Sequence, residues 1–202
     1  MKQFNPFVFE KTTYERELAT YQQFLKTKTN LSENKDILPF FKQNSQLSSQ
    51  ISRFNMPDLF PIDRIAYEYN LFGDFVCDLV LGNTQTHSYC FVEFEDAGEN
   101  SIFLTKKGKY QSVYASRFEA GNSQIIDWFY KIRHASPYDL RERFDSDRIN
   151  YYGILIIGRS HFLTETEINR YKWRQRHVIV DSKFIFILTF DELLRMLQTP
   201  FH

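Results

Sequence analysis

The spacing of apolar and polar positions changes along the chain. In residues 14–26 the apolar and aromatic side chains are Tyr14, Leu18, Tyr21 and Leu25, and this helical spacing predicts an amphipathic helix. Ser32 is placed to cap a second helix over 33–41, which Pro39 makes short or kinked. A third helix is predicted over 43–54, followed by a turn at Met56-Pro57-Asp58. Ahead of the helices, residues 6–10 predict a short edge strand.

From Ile65 onward the pattern becomes that of strands. Residues 64–69, 74–81 and 88–95 each predict one, and the polar turn 82–87 joins the last two into a hairpin. Residues 100–116 form a polar, lysine-containing connection. A helix over 116–133 follows, with Phe118, Ile125, Ile126, Trp128 and Phe129 at its apolar positions. Residues 137–148 are charged and predict a surface excursion. The continuous apolar run 151–157 is that of a strand covered on both faces. A helix over 164–175, short strands at 178–180 and 184–188, and a capped helix from Thr189 or Asp191 follow. This order predicts a mixed α/β fold: a largely antiparallel or mixed sheet with helices flanking both faces. Residues 1–60 would form a helical segment packed on a core of residues 61–202, within what the length suggests is one domain.

Composition supports a packed globular chain: 43% of residues are hydrophobic, and Gly (7) and Pro (6) are too scarce for long linkers. The 25 basic and 25 acidic residues cancel, so no global field draws the chain to nucleic acid or membrane. The halves differ, however: residues 1–105 carry a net −5 and residues 106–202 a net +5. The N-terminal Met1-Lys2-Gln3-Phe4-Asn5-Pro6 has no signal-like apolar run, and no stretch reaches the ~20 apolar residues of a membrane span. With only Cys77 and Cys90, a cytoplasmic protein with free thiols is expected.

Chemistry concentrates in the hairpin. Side chains at i, i+2 and i+4 of a strand share a face, so Asp74 pairs with Asp78, and Glu93 with Glu95. Phe75, Cys77, Leu79, Leu81, Val92 and Phe94 then form the core face, with Cys90 beside Cys77. Four carboxylates at cross-strand distance repel one another. Two readings stand: an ordinary solvent-facing side, or a set gathered around a divalent cation, which prefers carboxylate oxygens.

In order and spacing, these pieces resemble a PD-(D/E)xK nuclease core: Asp78 on one strand, Glu93-Phe94-Glu95 on the next, and Gln124 on the following helix. More specifically, three pieces look like the Shedu family of anti-phage nuclease domains. They are the hairpin 73–96, the Arg117-to-Trp128 segment, and the stretch from Gly153 through Thr189-Phe190-Asp191-Glu192. The resemblance spans about residues 30–200. It implies a restriction-endonuclease-like fold and Mg²⁺- or Mn²⁺-dependent cleavage of DNA. Asp78 and Glu93 would be the metal ligands, with Asp74 an alternative to Asp78. Glu95 would be a third ligand or base, and Gln124 would position the site. It also implies a homo-oligomer or a partner defence protein for sensing. Related nucleases sometimes place a further acid on an early helix, as Glu33 would be here.

Glu95 departs from the pattern, which has Lys there to offset charge in the transition state. Either Glu acts as a base, as in some restriction enzymes of the superfamily, or Lys106, Lys107 or Lys109 reaches in from the following loop. The alternative for those lysines is a solvated loop. The most basic window, 170–177, aligns Arg170 and Arg174 at i, i+4, with Lys172 between them. It either contacts phosphates or is a solvated helix face with Trp173 in the core. His87, His134, His161 and His177 lack metal-ligand spacing.

Overall fold

A computed structural model describes residues 3–53 and 56–200. Met1 and Lys2, and Phe54 at the predicted end of the third helix, lie outside the described residues. Strand β1 (Asn5–Pro6) precedes helix α1 (Lys11–Thr27), one turn of π-helix (Glu33–Ile37) and the short helices α2 (Leu38–Gln43) and α3 (Ser45–Ser48). Next come β2 (Arg64–Leu71), β3 (Phe75–Asn83) and β4 (Ser88–Phe94), then the small pair β5 (Phe103–Leu104) and β6 (Val113–Tyr114). Helices α4 (Ser116–His134) and α5 (Pro137–Phe144) lead to β7 (Asn150–Ile156). Helix α6 (Glu165–His177), β8 (Ile179–Val180), β9 (Lys183–Leu188) and α7 (Phe190–Leu197) follow.

One seven-stranded sheet runs in the order β1-β2-β3-β4-β7-β9-β8. Its β1–β4 half is antiparallel, whereas β4, β7 and β9 are mutually parallel. Parallel neighbours need long crossovers, and α4 and α6 lie in those two connections. The sheet is therefore mixed, with helices on both faces, as the pattern predicts. One face packs under α1–α3 and α7 around Tyr21, Phe41, Leu79, Val92 and Phe190. The other packs under α4–α6 around Phe91, Phe118, Trp128, Phe129 and Phe144. Each fully buried large side chain of this kind stabilises by roughly 1.5–3 kcal/mol.

Side-chain caps set the starts of three helices, α5, α6 and α7. Thr164 and Thr189 each form a full capping box, with Glu167 and Glu192. The helix predicted over 33–41 is one turn of π-helix running without a break into α2, since both Ile37 and Leu38 are helical, and it is short and irregular as Pro39 predicts.

Four expectations are corrected. Residues 137–148 are not a surface excursion: Ser136 caps α5, whose Leu140 and Phe144 are buried. The helix predicted from Gln43 is only the short α3, continued by turns. The first strand is Asn5–Pro6 and not 6–10. Cys77 and Cys90 do not share a core face, since Cys90 packs with the α1–α3 layer and Cys77 with the α4 layer.

This last correction has a structural cause. Tyr67 pairs with Leu79 and Tyr69 with Cys77, but Glu68 and Asp78 between them are not paired. Glu68 is in the left-handed region at φ +49°, a conformation non-glycine residues seldom adopt. On both strands the alternation reverses there. Ile65 and Tyr67 face one layer and Tyr69 and Leu71 the other; likewise Leu81 and Leu79 face one, and Cys77 the other. The β2–β3 pair thus changes faces at Glu68 and Asp78, while β4 keeps its alternation.

Candidate active site

Below that switch, β3 and β4 separate. Their last recorded pair is Leu79 with Val92. The next link is made by a side chain: the Phe94 N–H donates to the Asp78 Oδ2 at 2.8 Å. Strand β4 meanwhile stays on β7, with Glu93 beside Leu155 and the Glu95 N–H donating to the Ile156 carbonyl at 3.0 Å. Leu155 belongs to the α4-side core, and parallel neighbours share a face, so Glu93 points toward α4.

Helix α4 closes over this notch at very short range. A Cβ on Gly121 would lie 2.8 Å from Leu155 and 3.3 Å from the Glu95 carboxylate, and one on Gly153 of β7 would lie 2.5 Å from Ile125 of α4. Glycine at both positions lets the helix seat there.

Three carboxylates are buried in the notch: Asp78, Glu93 and Glu95 have relative exposures of 9%, 6% and 7%. Of the two readings left open for the acidic set, the solvent-facing one does not hold for these three carboxylates, which lie in the interior. Burial is the largest cause raising the Asp78 carboxyl well above its usual range, and the nearby charges of Glu33 and Glu95 push the same way. Burial raises Glu93 further, with Asp78, Glu95 and Glu33 adding to it. Glu95 is also raised by burial, but Arg117 opposes the shift. The Glu93 Oε2 atom is buried without a hydrogen-bond partner.

The cation of the site is Arg117, in the first turn of α4. Its Nη1 donates to the Glu95 Oε2 at 2.6 Å and lies 3.6 Å from Glu33, while its Nη2 is 3.2 Å from Asp96. Asp96 in turn accepts the Glu33 N–H at 2.7 Å, fixing the π-helical turn against the end of β4. A bridge between Leu31 and Ala97 supports the same junction. Lys106, Lys107 and Lys109 are exposed in the β5–β6 connection.

The structure therefore gathers Asp78, Glu93 and Glu95, and adds Glu33. It does not include Asp74, which forms an ion pair with Lys131 of α4. Gln124 reaches the start of β3, its Nε2 lying 3.5 Å from the Val76 carbonyl. The helix-face cations are engaged within the chain. Arg170 donates to the Ser112 carbonyl at 2.8 Å, Lys172 pairs with Glu192 at 2.8 Å, and Arg174 forks onto both Glu119 oxygens at 2.6 and 2.7 Å. Trp173 is 62% exposed and not in the core. Arg117 is the residue of this cluster that the residue pattern did not single out. Its signal was an arginine in a helix's first turn, where the dipole disfavours a cation unless an anion awaits it.

An all-oxygen donor set suits a hard cation. Among the described residues, no three His, Cys, Asp or Glu side chains gather closely enough to cage a metal. The Asp78–Glu93 pair, with its unpartnered Glu93 oxygen, fits the looser mode in which one or two carboxylates hold Mg²⁺ and waters fill its remaining positions. No helix among the described residues is long and apolar enough to cross a membrane.

A family model for the Shedu protein SduA, C-terminal, matches residues 15–194. No curated protein matches the chain.

Proposed function

This chain belongs to the Shedu SduA C-terminal family, and from that premise we propose that it hydrolyses phosphodiester bonds of DNA with a divalent metal ion, Mg²⁺ or Mn²⁺. Membership carries the context of anti-phage defence; the hydrolysis is our reading of the site. One observation carries it: the Glu93 Oε2 is buried with no hydrogen-bond donor, next to other buried carboxylates. An unpartnered buried carboxylate is costly, and a bound cation between Glu93 and Asp78 would remove that cost.

When bound, such a cation would lower the pKa of its water and offset charge on the phosphate. Asp78 and Glu93 would hold it, with Asp78 fixed by the Phe94 N–H. Glu95 would serve as the seat of Arg117, and Arg117 would bring toward the phosphate the positive charge that the nuclease pattern assigns to Lys at position 95. Gln124 would bound the site on the β3 side. The roles of Glu33 and Asp96 would be to orient the guanidinium, since both lie against it.

The test is nicking of plasmid DNA with Mg²⁺ or Mn²⁺ by wild type and by Glu93→Gln. Cleavage by wild type alone supports the reading; equal activity in both overturns it.

A second reading is a catalytically silent member that binds nucleic acid or protein. The Glu95–Arg117 pair favours it, because the pair is neutral where an active site of this pattern carries a free cation. It predicts no cleavage, and no metal binding by calorimetry.

A further inference from the structure

Helix α6 presents Thr166, Asn169, Arg170 and Trp173 at i, i+3, i+4 and i+7, a single stripe. With Tyr114 of β6 they line a recess of about 510 Å³. Trp173 is 62% exposed and is braced from one side by His177, with ring centroids 4.5 Å apart and planes at 17°. The opposite wall is equally ordered. Tyr114 is stacked between Phe103 at 4.7 Å and Phe118 at 4.8 Å. Arg170 lies 5.4 Å from the Tyr114 ring and is pinned by Ser112 through Nη1, leaving its other N–H groups for a ligand. A large indole held in a fixed orientation yet left in water is not explained by packing.

We propose that this recess takes a nucleobase of single-stranded nucleic acid, stacked on Trp173, with the Asn169 amide and Arg170 guanidinium reading its polar edge. The inference rests on the phosphodiesterase reading of the site and extends it to a flanking nucleotide. Charge complementarity favours this occupant. The loop that Arg170 ties down through Ser112 carries Lys106, Lys107 and Lys109, all exposed, together with the fully exposed Tyr110. Aromatic platforms beside a basic track are how single strands are held without sequence preference. Glu165 and Glu167 at the start of α6 oppose the phosphates; Glu167 is turned back into its capping box. Position also fits. Tyr114 is three residues from Arg117, at most about 11 Å of extended backbone. That is on the order of three stacked nucleotides from the candidate site.

The chain's two tryptophans make the test direct. Trp128 is fully buried and Trp173 is exposed, so an added stacking partner reports through Trp173. Short oligodeoxythymidine is titrated against the whole chain in EDTA, where no cleavage is needed, following tryptophan emission. Labelled-oligonucleotide anisotropy is measured in parallel. The expected result is saturable quenching by the single strand and not by a duplex of equal length. Trp173→Ala is expected to bind about 10- to 100-fold more weakly, Trp173→Phe to retain binding, and Asn169→Ala to bind more weakly with emission still quenched. Both positions concerned are exposed, so melting temperatures should match wild type. Absence of quenching, or unchanged anisotropy in Trp173→Ala, overturns the proposal. So does quenching that rises with protein concentration alone, which would assign the recess to a second copy. Quenching without plasmid cleavage retains the slot and removes the hydrolytic reading; cleavage without quenching does the reverse.

Discussion

Arg117 donates to Glu95 at 2.6 Å from the first turn of α4, so a helix supplies the cation that the strand itself lacks. If that charge serves the phosphate, Arg117→Ala should slow single-turnover cleavage by roughly 100-fold with metal affinity little changed. Arg117→Lys should recover part of the rate, because it restores a point charge without the fork that spans Glu95 and Asp96. Calorimetry of metal binding beside the rate separates this from a lost metal site.

The raised Glu93 carboxyl makes stability depend on pH. The folded chain keeps a proton there that the unfolded chain releases near pH ~4. In metal-free protein this group's contribution to stability should therefore be fully present below that pH and be lost as pH rises toward the raised folded value. Glu93→Gln should flatten this slope. At pH 8 it should melt several degrees higher than wild type, for a gain of about 2 kcal/mol. A parallel pH dependence in both proteins would contradict the assignment.

Metal should offset the same cost. Mg²⁺ or Mn²⁺ at about 100 times its Kd should stabilise wild type by about 2.7 kcal/mol. The gain should grow with pH because the ligands must be deprotonated. Differential scanning fluorimetry should show it in wild type and in neither Asp78→Asn nor Glu93→Gln.

The two glycine seats of α4 should separate stability from activity. Gly153→Ala drives a Cβ to 2.5 Å from Ile125 and should cost on the order of 1–3 kcal/mol by overpacking. Gly121→Ala also crowds Leu155, but it gains about 1 kcal/mol of helix propensity. Its melting temperature should therefore stay close to wild type. Its activity should fall further, because the new methyl presses on Glu95.

The sheet and its long helices were readable from periodicity because burial repeats at fixed spacing along them: Tyr14, Tyr21 and Leu25 are buried on α1, and Ile125, Trp128 and Phe129 on α4. Helix α5 was not. It has only eight residues, buries two, and surrounds them with charge. The convergence of Asp78, Glu93 and Glu95 was legible, since it follows from hairpin pairing. Their burial was not: Glu93 and Glu95 are covered because α4 seats on their face of β4, a contact between elements far apart in sequence, and Asp78 sits at the face reversal with Glu68, which the alternation rule does not foresee. The same reversal explains the misplaced Cys77. Asp74, beyond the reversal, pairs with Lys131 in an ion pair between elements far apart in sequence. Nor does local pattern show which anions a lone arginine will meet, so Arg117 emerged only with the fold.

The Phe94 amide is bonded to a carboxylate and not to a neighbouring strand, which gives the site an internal spectroscopic probe. Most amides of a sheet sense a carbonyl whose charge never changes. This one senses a group that gains or loses a proton, or would surrender electron density to a cation. Its proton and nitrogen chemical shifts should follow the ionisation of Asp78 directly, in the intact chain and without any substrate. A single resonance would then record the state of the notch.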